Sequence, residues 1–226
     1  MLEPKLYIVS TPIGNMGDIT VRALETLKAV DTILSEDTRE ADKILKKYSF
    51  SKPQISYRDQ NHVRVFDIIK GLIESGKSVA LVSDSGTPLV SDPGFKLVRD
   101  LLAAGIDVEA VPGPSAVVTA LTVSGLPTDK FYFFGFLPKT DNQREKTFES
   151  LSDLDATLIF YESPFRILNT LVCAHKVFGD RKSCICNDLT KMHEEVVRGK
   201  ISDILKNYEN KKPRGEFVFL VAKKGF

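Results

Sequence analysis

The sequence predicts an α/β protein of two domains, with a parallel sheet in the first and a mixed sheet in the second. Three observations carry this. Short apolar runs alternate with amphipathic helical stretches five times in the first 125 residues, and such alternation calls for parallel strands joined by right-handed crossovers. Gly125-Leu126-Pro127-Thr128 then reads as a linker. Beyond it the strands follow one another at shorter intervals, too close for parallel crossovers throughout. The expected domains are residues 1–125 and 126–226.

Each element has its own local reason. Leu6 to Ser10 is the first strand, broken by the turn Thr11-Pro12-Ile13-Gly14-Asn15. Asp18 to Val30 is a helix, with Val21, Leu24, Leu27 and Val30 on one face and Asp18 or Thr20 able to cap it. Thr32 to Ser35 is the second strand and runs into Glu36-Asp37-Thr38-Arg39; a short helix carrying Ile44 and Leu45 follows. Gln54 to Tyr57 is a weak strand, and Val63 to Ser75 a helix stopped by Gly76. Val79-Ala80-Leu81-Val82 is a strand buried on both faces. The long polar loop after it leads to Asp92 and Pro93, read as the N-cap and first position of a helix that Gly105 ends. Asp107 to Val111 is a strand, and Pro112-Gly113-Pro114-Ser115 opens a helix to about Ser124.

In the second domain, strands are expected at Phe131–Phe134, Ala156–Tyr161, Ser183–Asn187, Glu194–Gly199 and Phe217–Ala222. Helices are expected at Arg144–Leu151, Phe165–Val177 and Ile201–Tyr208.

Bulk properties narrow the function. Lys plus Arg number 31 against 30 for Asp plus Glu, a net charge of +1, so no strongly basic or acidic partner surface is announced. Cys173, Cys184 and Cys186 are too few for a disulfide framework, and their spacing fits no tetrahedral zinc pattern. No metal site is expected. The chain begins without a signal-peptide pattern and has no apolar run near the ~20 residues of a membrane span. A soluble cytoplasmic protein without membrane attachment is expected. The dinucleotide fingerprint, the phosphate loop and the nucleophile elbow are all missing. What remains is a set of polar loops rich in Gly and Pro, one after nearly every strand. In open α/β sheets ligands lie beyond the carboxyl ends of the strands, so these loops are the candidate site. The longest, Ser83 to Gly94, combines close-approach glycines, Gly86 and Gly94, with Asp84, an acceptor suited to an ammonium or a hydroxyl.

Seven segments stand in a characteristic order: Thr11-Pro12-Ile13-Gly14-Asn15; Glu36-Asp37-Thr38-Arg39; Ser83-Asp84-Ser85-Gly86-Thr87-Pro88 with Asp92-Pro93-Gly94; Pro112-Gly113-Pro114-Ser115; Tyr161-Glu162-Ser163-Pro164; Leu189-Thr190-Lys191; and Arg214-Gly215-Glu216. Together they resemble the tetrapyrrole methylase superfamily, and within it the bacterial methyltransferases that modify the 2′-oxygen of a decoding-centre cytidine in 16S ribosomal RNA. The resemblance implies two α/β domains with S-adenosyl-L-methionine in the cleft between them, a homodimer, and small-subunit ribosomal RNA or the 30S particle as partner. By position it assigns cofactor binding to Pro12, Ser83, Asp84, Thr87, Pro88, Leu89, Ser115, Ala116, Tyr161, Leu189 and Gly215. Substrate contact and catalysis fall to Asp37, Arg39, Lys191 and Glu216, with Lys139, Arg144 and Arg214 as further basic residues facing RNA. The plainer readings are that Asp37 and Arg39 form a surface salt bridge, and that Tyr161 and Leu189 are core. Members commonly carry His where this chain has Phe165, and Arg-Glu where it has Asn187-Asp188. Two other functions stand beside this one: a small-molecule, tetrapyrrole-type methylase, and a cofactor- or RNA-binding protein without catalysis.

Overall fold

The computed structural model describes residues 2–226. The chain divides into two compact units, Met1–Ser115 and Ala116–Phe226.

The first unit alternates strand and helix: β1 (Leu6–Val9), α1 (Val21–Ala29), β2 (Thr32–Ser35), α2 (Thr38–Lys47), β3 (Gln54–Ser56), α3 (His62–Glu74), β4 (Val79–Leu81), α4 (Phe95–Ala103) and β5 (Val108–Val111). All its strand pairs are parallel, in the order β3-β2-β4-β1-β5. Both faces are covered, as parallel sheets require. Tyr7, Val9, Ile33, Ala80 and Val82 pack with Leu27, Ile44 and Leu45 of α1 and α2. Leu6, Leu34, Val79 and Leu81 pack with Ile69 and Leu97 of α3 and α4. Alternate residues of one strand therefore enter opposite cores. The chain leaves the neighbouring strands β1 and β4 in opposite directions, toward β2 and β5, which makes their carboxyl ends the switch point of the sheet.

Among the expected boundaries that move, two lie in the first unit's loops, while in the second unit the helices expected from Arg144 and Phe165 start at Asp141 and Ile167. The first helix starts at Val21, where the Thr20 side chain accepts from the Ala23 amide, while Met16–Asp18 forms a separate 3-10 turn. Asp92 does not cap α4. The cap position is Gly94, and the helix begins at Phe95. Leu89 and Ser91 take left-handed backbone (φ 71° and 65°), which carries the chain through two more turns before a helix can start. Gly94 itself has φ 131°, and a Cβ there would lie 2.8 Å from Leu81 Cδ2. Only glycine lets the chain cross the end of β4 this closely.

The second unit contains α5 (Ala116–Ser124), β6 (Phe131–Phe136), α6 (Asp141–Leu151), β7 (Thr157–Glu162), α7 (Ile167–Phe178), β8 (Lys182–Asn187), β9 (Glu195–Lys200), α8 (Ile201–Glu209) and β10 (Phe217–Val221). Its strand order is β6-β7-β10-β8-β9, with β6 and β7 parallel and every other pair antiparallel. Phe148, Phe160, Phe178 and Phe219 anchor the core between the sheet and α6, α7 and α8. Helix α5 packs against β8, β9 and β10. Arg144, expected at the surface, is buried in α6: it reaches Asp141 Oδ1 at 2.7 Å and the Lys139 carbonyl at 3.3 Å. Among the described residues no helix is long and apolar enough to cross a membrane.

Candidate functional site

The loops after β1, β4 and β5 are stitched into one surface at the carboxyl edge of the first sheet. Thr11 donates its amide to the Gly86 carbonyl (2.8 Å) and its hydroxyl to the Ser83 carbonyl (3.2 Å). Ser10 and Thr87 share a hydroxyl contact of 3.0 Å, and Thr87 donates to the Pro114 carbonyl at 2.9 Å. Ser83 closes the base by donating to the Gly86 carbonyl at 3.1 Å. Pro12, Ser83 and Pro88 are buried in this framework, while Thr87 and Leu89 remain partly open. The close approach is steric as well as polar. A Cβ at Gly113 would fall 2.9 Å from Ser10 Cβ, and one at Gly86 (φ 81°) 3.2 Å from Ile13 Cγ2. Ser115 ends this unit and Ala116 opens α5.

An acidic margin borders the surface. The Asp37 amide donates to Asp84 Oδ1 at 3.0 Å, tying the β2 loop to the β4 loop. Asp37 also caps α2, accepting the Arg39 amide at 2.9 Å, and it grips the Arg39 guanidinium through Nε (2.9 Å) and Nη2 (2.5 Å). The expected salt bridge exists, yet the Arg39 side chain stays 86% exposed. These bonds from Arg39 hold the Asp37 carboxyl down at about 2. Asp84 goes the other way. Although it is exposed, surrounding atoms displace enough water to raise its carboxyl, and the charges of Asp37 and Glu40 add to the rise. Asp92, which the sequence offered only as a helix cap, is pushed up to about 7, first by burial and then by the charges of Glu36 and Asp84.

The second unit has its own knot where β8 ends and β10 begins. Lys191 Nζ donates to Asp188 Oδ1 at 2.9 Å and to Glu216 Oε2 at 2.8 Å. Asp188 and Glu216 also exchange backbone contact, Asp188 N to Glu216 O at 3.0 Å. Burial alone would lower the Lys191 ammonium, but its two carboxylate partners together raise it. Gly215 (φ 84°) makes the knot possible, since a Cβ there would sit 2.1 Å from Asp188 Oδ2. Asp188 and Thr190 hold left-handed backbone (φ 47° and 66°). Of the five non-glycine residues with positive φ among those described, four lie in this loop and the Ser83–Gly94 loop, and strain of this kind collects at ligand-binding segments. Leu189 is buried; Tyr161 is half-buried, its ring 4.8 Å from Phe133 and 5.4 Å from Phe136. Glu162 is wholly satisfied by Arg166, Thr170 and the Ser163 amide, which makes it an anchor for the β7–α7 turn.

Comparison with known proteins decides the family. Residues 5–205 match the tetrapyrrole (corrin/porphyrin) methylases. The chain belongs to this family. Within it, the chain is 49% identical over 223 residues to a Rickettsia prowazekii protein named ribosomal RNA small subunit methyltransferase I, covering 98% of this chain and 79% of the relative. A Thermotoga maritima protein of the same name is 46% identical, covering 97% of this chain and 99% of that one. A Bacillus subtilis relative, again so named, is 41% identical across 96% and 74%. Among solved structures the fold resembles diphthine synthase (TM-score 0.73, 16% identity, 97% of this chain and 90% of that one) and a putative diphthine synthase from Entamoeba histolytica (TM-score 0.70, 19% identity, 98% and 93%). The two-sheet architecture is thus that of a tetrapyrrole methylase.

Within each unit of this methylase the anticipated residues come together: Asp37, Arg39 and Asp84 in the first, Lys191 and Glu216 in the second. Sequence reasoning missed Asp92 and Asp188. The first was masked by its resemblance to a helix cap, and the second by the lack of any local sign that its carboxylate meets Lys191. His62 is occupied elsewhere, with Nδ1 3.1 Å from the Tyr57 hydroxyl and Nε2 2.8 Å from Asp100. Among the described residues no cluster of His, Cys, Asp or Glu could hold a metal ion.

Proposed function

We propose that this methyltransferase uses S-adenosyl-L-methionine to modify small-subunit ribosomal RNA, at the 2′-oxygen of a decoding-centre cytidine. The supporting observation is the glycine-dependent cradle at the carboxyl edge of the first sheet, bordered by Asp84 and Asp92, in a chain whose relatives carry that RNA in their name. The residues present fit the cofactor. Ser83, Thr87 and the backbone around Gly86 bond to one another and to their neighbours and so hold the shape of the cradle, and the carboxyls of Asp84 and Asp92 suit the cofactor's ammonium and sulfonium. When bound, the cofactor supplies a methyl carbon activated by a positive sulfur.

The chain's own part is positioning, which accounts for most of the rate in a transfer of this kind. Asp37, fully ionised, orients Arg39, whose exposed guanidinium suits a phosphate. Lys191 keeps its proton and so acts as a donor rather than a base. Glu216 fixes it. In this reading Pro12, Pro88, Leu89 and Ser115 shape the cofactor cradle of the first unit, and Ala116, Tyr161, Leu189 and Gly215 are the cofactor contacts of the second unit.

The test is mass spectrometry of ribosomal RNA from cells lacking the gene, complemented with wild type or Arg39→Ala. Wild type should restore a cytidine 2′-O-methyl mark. Arg39→Ala should restore it slowly while purified protein keeps its cofactor affinity. An identical mark with and without the gene would reject the substrate.

A further inference from the structure

The second sheet presents two apolar side chains that the fold does not use. Phe165 is 93% exposed and Met192 92% exposed. Both stand at one edge of the sheet. Glu162, the end of β7, and Asn187, the end of β8, both pair with Phe217, the first residue of β10. The loops that follow those strands therefore start level with each other, one on either side of β10. With strands spaced ~4.8 Å apart, their roots lie about 10 Å apart. The turn Arg214-Gly215-Glu216 enters β10 between them.

Cations flank the pair. Lys139 follows β6, the neighbour of β7, and Lys212 and Arg214 precede β10; all three are exposed and none has an ion-pair partner among the described residues. The carboxylates of this edge are already engaged: Asp188 and Glu216 by Lys191, and Glu194 by the Thr190 amide at 2.6 Å. Across the edge the order is thus cationic, aromatic, cationic, apolar. An exposed ring and an exposed thioether between uncompensated cations match unpaired RNA, whose bases stack or pack on apolar surface while its phosphates are neutralised.

We propose that Phe165 and Met192 form a stacking platform for unpaired bases of the RNA substrate, with Lys139, Lys212 and Arg214 holding the adjoining phosphates. This rests on the reading that the substrate is RNA. It assigns the second unit a role in gripping single-stranded nucleotides, apart from the cofactor cradle and from Arg39.

The probe is fluorescein-labelled oligocytidylate at low salt, with an RNA duplex of equal length for comparison. Wild type should prefer the single strand. Phe165→Ala should weaken it roughly tenfold, the usual loss for one stacked base, Met192→Ala should weaken it less, and Phe165→Tyr should restore the Phe165→Ala loss. The salt dependence should be unchanged in Phe165→Ala but shallower by about 0.7 in slope for Arg214→Ala, the value for one single-strand phosphate. Because Phe165 carries no internal contact of weight, the melting temperature should hold. The proposal is overturned if wild type fails to bind the single strand, if Phe165→Ala binds it as wild type does, if that variant loses cofactor affinity instead, or if its mass halves, which would make a second copy the occupant. Methylation of 30S particles by wild type is scored separately. A wild type that methylates while Phe165→Ala binds RNA normally rejects the platform alone; a wild type that binds oligocytidylate but never methylates rejects the reaction alone.

Discussion

Asn in place of Asp92 should stabilise the protein, increasingly as pH rises from about 4 to about 7. The Asp92 carboxyl lies partly buried in the Ser83–Gly94 loop facing the charges of Glu36 and Asp84, and is raised from 3.8 to about 7. The folded chain thus holds this proton more tightly than the unfolded chain does. Stability contributed by the neutral acid is complete below about pH 4 and is lost as pH rises through about 7. A shift of about three units sets a ceiling of ~4 kcal/mol; partial access to water reduces this to about 1–2 kcal/mol. Asn keeps the shape of the protonated acid and never ionises. Asp92→Asn should therefore melt higher than wild type by a gap that is already partly open at pH 5 and widens to roughly 2–8 °C at pH 8 for a chain of this size. Thermal unfolding by circular dichroism between pH 5 and 8 measures the gap. Staying above pH 5 separates this effect from Asp37 and Asp100, both held at about 2 by Arg partners, whose contributions disappear only in acid. A gap that is constant with pH, or a variant less stable at pH 8, would refute the reasoning.

Three further outcomes are expected. Binding of S-adenosyl-L-methionine near pH 7 should release more protons than binding of its uncharged demethylated product, because a cation beside Asp84 and Asp92 favours their ionised forms; calorimetry in buffers of different ionisation enthalpy would detect equal release if the acids lie away from the sulfur. Gly215→Ala should disrupt the Lys191 knot, since its Cβ would collide with Asp188 and its φ of 84° is strained for any side chain, at a cost of about 1–3 kcal/mol; urea unfolding unchanged from wild type would contradict this. Phe131, Tyr132 and Phe136 expose aromatic surface along β6, an edge strand, which fits a symmetric dimer. Light scattering should give twice the 25.1 kDa chain mass, and a monomer at micromolar concentration would exclude it.

Much of this protein was fixed by local pattern. Apolar runs of four residues bounded by Gly and Pro could be little other than buried parallel strands, and Leu24 and Leu27 could cover a sheet only as a helix, although Val21, expected on the same face, stays exposed. The ordered loop motifs pointed to the family, because chemistry at a sheet's carboxyl edge requires those turn residues. Other features depended on distance. Asp92-Pro93 has the local form of a helix start, but the left-handed turns at Leu89 and Ser91 and the tight passage of Gly94 over Leu81 delay the helix to Phe95. Nothing adjacent in sequence raises the Asp92 carboxyl; burial and the charges of Glu36 and Asp84 do. Arg144 looks like a surface cation at the start of a helix, yet the fold covers it. Phe165 looks like a core residue, yet Glu162 and Arg166 spend the β7–α7 turn on one another and leave the ring in solvent. A sequence specifies which residues prefer water and which turns they allow; which charges meet, and which ring is left without a neighbour, depends on strands brought together from far along the chain.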